Sequence, residues 1–149
     1  MKLEEEIKQS KFRNEKHKLA VNIIYSYSWL MNKQTELFAE HDITGNQYNI
    51  LRILRGQHPK PATVNLLKER MVDKMSDTSR LVERLRVKKY VQRELCPNDR
   101  RRVNVSITQK GLDVLAEIDK LNDRYDAFFK NLSIEDSKVI NELLDKMRG

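Results

Sequence analysis

Three adjacent guanidinium groups, Arg100-Arg101-Arg102, follow the acid Asp99 and the turn-forming pair Pro97-Asn98. Like charges at this spacing repel one another unless an anion is nearby, and phosphate suits the planar guanidinium fork. Upstream, Ser76, Ser79 and Arg80 recur at helical spacing on one face, with Asp77 and Arg84 alongside. Hydroxyls bond to phosphates or base edges, and an arginine on a helix pairs bidentately with guanine. Residues 60–110 carry 14 Lys/Arg against 6 Asp/Glu, whereas the rest of the chain carries 15 against 16. A basic middle between near-neutral flanks is the electrostatic footprint of nucleic-acid binding.

Catalytic chemistry fails on inventory. His17, His41 and His58 are isolated, so no histidine pair stands at the spacing of a metal site. Gly45, Gly56, Gly111 and Gly149 are scattered and build no phosphate loop, and Cys96 has no histidine near it. No enzyme activity, cofactor or metal is expected. With Cys96 the only cysteine, an internal disulfide framework is excluded and a reducing compartment is the default. The amino terminus MKLEEEIKQSK has no apolar core of a signal peptide. No run approaches the roughly 20 apolar residues that span a bilayer. A soluble cytoplasmic protein without a membrane partner is expected, and 149 residues set a prior of one domain.

The elements that must position these groups are mostly helical. Leu19, Ile23, Ile24, Tyr27, Leu30, Met31, Leu37 and Phe38 recur at spacings of three and four, predicting a long first helix over about 3–40. Thr44 and Gln47 form a capping box, with Ile43 and Tyr48 as a hydrophobic staple, opening a helix that stops at Gly56. A loop follows through Pro59 and Pro61, then a short helix from near Thr63. The next helix is predicted over about 74–89, burying Met75, Thr78, Leu81, Val82 and Leu85. Alternation then changes to period two in 90–95 and 103–107, two antiparallel strands joined by a loop over 96–102 that presents the arginines. Two helices close the chain, one from Thr108 through Phe128 and one capped by Ser133. Helices with short connections followed by a hairpin with a basic tip are the order of a winged helix-turn-helix: mainly α, with a small β-hairpin wing. Helix 74–89 would enter the major groove of double-stranded DNA, and the wing would suit the adjacent minor groove.

The run Ser79-Arg80-Leu81-Val82-Glu83-Arg84-Leu85, the strand Val91-Gln92-Arg93, and Asp99-Arg100-Arg101-Arg102 leading into Ile107-Thr108-Gln109-Lys110-Gly111 resemble the MarR family of bacterial transcriptional regulators. That family carries Asp-x-Arg in its wing and Leu/Ile-Thr-x-x-Gly at the next helix, matched by Asp99, Arg101, Ile107, Thr108 and Gly111. The resemblance covers the whole chain and implies one MarR-like domain, with a winged module over about 44–111 and dimerisation helices over about 3–40 and 112–148. It implies that Arg101 reaches the minor groove and that Asp99 braces the wing through a salt bridge, with Arg100 or Arg102 adding a contact. Where the family has glycine after the recognition helix this chain has Lys89, so that helix is expected to end differently.

Phe12, Leu19, Ile23, Tyr27, Leu112, Leu115, Tyr125, Phe128, Phe129, Ile140, Leu143 and Leu144 exceed what a module of this size covers, which points to a partner surface. The resemblance implies that the partner is a second copy, a homodimer on a pseudo-palindromic operator, more often as a repressor. It also implies a small aromatic or phenolic effector bound between the dimer region and the winged module, with Tyr25, Trp29, His41 and Tyr48 as candidate contacts; core packing is the plainer reading of each singly. Cys96 reads as a small residue at a strand end or, beside three arginines, as an oxidation-sensitive thiol. The alternative function is a winged-helix interaction protein that binds RNA or protein without reading duplex sequence.

Overall fold

In the computed structural model, which describes all 149 residues, most of the longer helices begin where a side chain can satisfy a free backbone N–H. Thr44 accepts from the Gln47 N–H at 3.2 Å to open α3 (Gly45–Gln57), and Gln47 returns the capping-box bond. Thr63 caps α4 (Val64–Arg70), Asp77 caps α5 (Thr78–Val87), Thr108 caps α6 (Gln109–Asp119) and Ser133 caps α8 (Ile134–Arg148). The chain separates into two compact units, Met1–Glu36 and Leu37–Gly149.

The first unit holds a short α1 (Leu3–Glu6) and most of α2 (Glu15–Phe38). The continuous helix expected over 3–40 is therefore interrupted. Lys8 takes a left-handed conformation (φ 52°), and Asn14 accepts the His17 N–H at 2.9 Å, restarting the helix. No Gly or Pro announces this break, which is why periodicity alone carries the helix through it. Segment 1–6 is held on α2 by the buried Leu3, by an ion pair between Glu4 and Lys18, and by the Tyr25 hydroxyl donating to Glu6 at 2.8 Å.

The second unit has one core. Ile50, Leu51 and Leu54 of α3, Leu67 of α4, and Val82 and Leu85 of α5 meet Leu115 and Ile118 of α6. Below them lies a three-stranded antiparallel sheet in the order β1-β3-β2, formed by β1 (Ala62–Thr63), β2 (Val91–Cys96) and β3 (Asp99–Ile107). It contributes Ala62, Val91, Val105 and Ile107 to the core. Burying each large side chain favours the fold by about 1.5–3 kcal/mol. Strand β1 was not expected, because two residues show no periodicity. Leu115 is fully buried within this unit and needs no partner surface, contrary to expectation.

Two helix boundaries also differ from expectation. The helix expected over 74–89 runs over Thr78–Val87 as α5, because Asp73 and Asp77 each capture a following N–H and hold 73–76 as a turn. Met75 therefore stands outside the helix and is 93% exposed instead of buried. The helix expected from Thr108 through Phe128 stops at Asp119; α7 (Asn122–Asp126) and a 3₁₀ turn over Ala127–Phe129 follow separately, so the stretch 112–148 is not two continuous helices.

Candidate nucleic-acid interface

Helix α5 is amphipathic. Thr78, Val82 and Leu85 are buried, while Ser79, Arg80 and Arg84 are exposed on the opposite side. Ser76 lies ahead of the helix, where its hydroxyl donates to the Asp73 carbonyl at 2.7 Å. Asp77 is committed as the cap, accepting from the Arg80 N–H at 3.1 Å. Of the expected contact residues on this segment, Ser79, Arg80 and Arg84 thus have side chains clear of local bonds.

The end of α5 corrects another expectation. Lys89 adopts the left-handed conformation (φ 65°) that glycine would take. The Lys89 N–H donates to the Arg86 carbonyl at 2.9 Å and the Tyr90 N–H to the Leu85 carbonyl at 3.0 Å, a full Schellman motif. The helix ends as a glycine-capped helix would, with lysine bearing the strain. Its carbonyl accepts from the Thr108 hydroxyl at 2.7 Å, tying the helix end to the start of α6. Gly111 is required there: a Cβ would lie 2.4 Å from the Tyr90 carbonyl oxygen.

In the wing the arginines belong to strand β3 and not to a loop over 96–102. The hairpin turns tightly at Pro97-Asn98, with Cys96 opposite Asp99. The next pair is Leu95 opposite Val103, so Arg100, Arg101 and Arg102 bulge with no partner on β2. The turn is shorter than its polar composition suggests because the bulge absorbs the extra residues. Asp99 accepts the Arg101 backbone N–H at 2.9 Å, and its carboxylate lies 3.8 Å from the Arg102 guanidinium. The acid therefore braces the backbone beneath Arg101 and pairs with Arg102. Arg80, Arg84, Arg100 and Arg101 make no ion pair in the structure and are exposed.

Glu83 links helix to wing, a role that residue type alone did not disclose. Its carboxylate accepts from Arg86 at 2.7 and 3.0 Å and lies 3.2 Å from Arg93 on β2. The hydrogen bond from Arg86, with the charges of Arg86 and Arg93, holds the Glu83 carboxyl below its ordinary value. Lys88 likewise reaches Asp42 at 3.4 Å and Gln47 at 3.2 Å, joining α5 to the start of α3. Only the Glu83–Arg86 spacing could have been seen beforehand.

The candidate effector contacts are dispersed over both units. Tyr25 is bonded to Glu6, and Trp29 is partly exposed on α2. In the second unit, His41 lies in the 3₁₀ turn Ala39–His41, while the Tyr48 ring meets Phe38 edge-on at 5.0 Å and Arg52 at 5.8 Å. Cys96 is a half-buried free thiol. No helix is long and apolar enough to cross a membrane.

Helices α3, α4 and α5 followed by the basic hairpin are a winged helix-turn-helix. Residues 41–102 match the sequence model of the MarR family, and the chain shares the winged-helix fold of solved MarR-family regulators. It is similar to a mutant MarR from E. coli complexed with operator DNA, at 27% identity and a TM-score of 0.80, covering 93% of this chain and 99% of that one. It shares its fold with Bordetella bronchiseptica BpsR, whose DNA binding is regulated by 6-hydroxynicotinic acid (20% identity, TM-score 0.76, 89% and 99% covered). A third similar structure is the organohalide-sensing regulator RdhR in its 2,4-dichlorophenol-bound form (18% identity, TM-score 0.83, 94% and 85% covered). No curated protein sequence matches the chain.

Proposed function

We propose that this protein is a sequence-specific DNA-binding transcriptional regulator that acts as a homodimeric repressor on a pseudo-palindromic operator. The observation that carries the reading is the set of exposed, unpaired arginines, Arg80 and Arg84 on α5 and Arg100 and Arg101 on the wing, within one winged-helix unit. Ser79 and Arg80 read base edges from the major groove, with Ser76 and Asp77 shaping the helix entry. Arg101 enters the adjacent minor groove, whose negative potential attracts it, and Arg100, which has no ion-pair partner, neutralises a phosphate. Asp99 supports them from behind.

A second copy supplies the second half-site, about 34 Å away for recognition helices one helical turn apart. Its candidate contacts, taken unit by unit, are the exposed Leu19, Ile24 and Tyr27 of α2 in the first and the exposed Val139, Ile140, Leu143 and Met147 of α8 in the second. The similar E. coli structure is a complex with operator DNA, and two fold relatives respond to or hold small aromatic molecules. For this chain the effector is a small aromatic or phenolic compound. It releases DNA by favouring a dimer whose recognition helices no longer match the half-sites.

Arg80→Ala tests the base-reading role. It is expected to cost about 1–3 kcal/mol on the preferred site and little on random duplex. Equal losses on both make Arg80 a phosphate contact and favour a winged-helix protein without sequence readout.

A further inference from the structure

Met75 is 93% exposed, a degree unusual for a large apolar side chain. It stands two residues ahead of Asp77, the cap of α5, and its backbone is fixed. Asp73 accepts the Met75 N–H at 3.0 Å through one carboxylate oxygen and the Asn46 amide at 3.1 Å through the other. The Ser76 hydroxyl closes the same turn on the Asp73 carbonyl at 2.7 Å. Asn49 accepts the Val72 N–H at 2.8 Å, so two asparagines of α3 anchor the turn. The thioether is therefore presented to solvent from a rigid support, flanked in sequence by Lys74 and followed by Arg80 in the first turn of α5.

The first residues of a recognition helix and those just before it meet base edges. On such a basic face an apolar side chain gains nothing from phosphate. The apolar group in the major groove is the 5-methyl of thymine. An unbranched, polarisable methionine adapts its three torsions to such a small target. We infer that Met75 is a specificity-determining residue that reads thymine in each half-site by packing against its 5-methyl group. This assignment rests on the DNA-binding function proposed above.

The test uses the full-length protein and a duplex selected from a random pool. Thymines are replaced one at a time by deoxyuridine, which removes only the methyl group. The wild type is expected to lose about fourfold in affinity at one thymine per half-site, the worth of one buried methyl group. Met75→Ala binds the thymine duplex about fourfold more weakly and is indifferent to the replacement at that position. Met75→Leu restores the dependence. A methyl dependence that survives in Met75→Ala, or a wild type indifferent at every thymine, overturns the assignment and leaves the DNA-binding reading standing. A wild type that binds no duplex overturns both.

Discussion

Lys89 shows how one residue can be strained without changing a fold. Left-handed backbone costs a residue with a Cβ about 1–2 kcal/mol, yet both Schellman hydrogen bonds form and the Lys89 carbonyl is held by Thr108. The lysine ammonium has no ion-pair partner, so the strain is not repaid by its charge within the protein. Lys89→Gly relieves it, partly offset by the larger entropy that glycine loses on folding. The expected net gain is about 0.5–1 kcal/mol, read as a higher denaturation midpoint in urea at unchanged slope. A lower midpoint would contradict the account. The residue pattern identified Lys89 as a departure but not its outcome: two hydrogen bonds and the packing of Tyr90 override one residue's preference, and none of these is visible in the residue's identity. Met75 failed for the opposite reason. Helical periodicity placed it inward, and the aspartates at 73 and 77 moved the helix start past it.

Between elements, the link that matters for docking is Glu83, which holds Arg86 on its own helix and Arg93 on β2. In the proposed docking the wing and α5 reach neighbouring grooves together, and a bond between them sets their relative orientation. The folded carboxyl titrates below its unfolded value. The contribution is therefore present above the unfolded glutamate value, about 4.3, and lost as pH falls through the depressed folded value. Glu83→Gln is expected to have a lower Tm than the wild type near neutrality, with the gap closing in acid. A gap that stays constant with pH would remove the charge from the explanation. Most elements were legible from caps and periodicity: Thr44, Thr63, Thr108 and Ser133 mark starts that the structure keeps. The wing was legible as two strands but not as a tight turn with a bulge. Turn chemistry at Pro97-Asn98-Asp99 is compatible with either, and the register is decided by Val103 and Val105 seeking the core opposite Leu95 and Arg93.

At the scale of the molecule, the two ends of the chain and its middle answer to different demands. The middle buries a continuous core, whereas α2 and α8 each leave apolar side chains in solvent. In the proposed homodimer a second copy covers that exposure and doubles the DNA-reading surface. Effector control adds a further expectation: among simple phenols and aromatic acids, at least one raises Tm and lowers duplex affinity, since a ligand that favours one state does both. A screen with no stabiliser would contradict that part of the account. The effector contacts were the least legible feature, because Tyr25, Trp29, His41 and Tyr48 are as well explained by packing as by binding.

The central claim is sequence-specific duplex binding by a two-fold protein through its unpaired arginines. It is tested most directly by selecting bound duplexes from a random pool and titrating the winner with salt, for the wild type and Arg101→Ala. The account predicts an enriched palindrome and a steep loss of affinity with salt, whose logarithmic slope becomes shallower by about one in Arg101→Ala. No enriched sequence, or an enriched site without two-fold symmetry whose salt slope ignores Arg101, would contradict it.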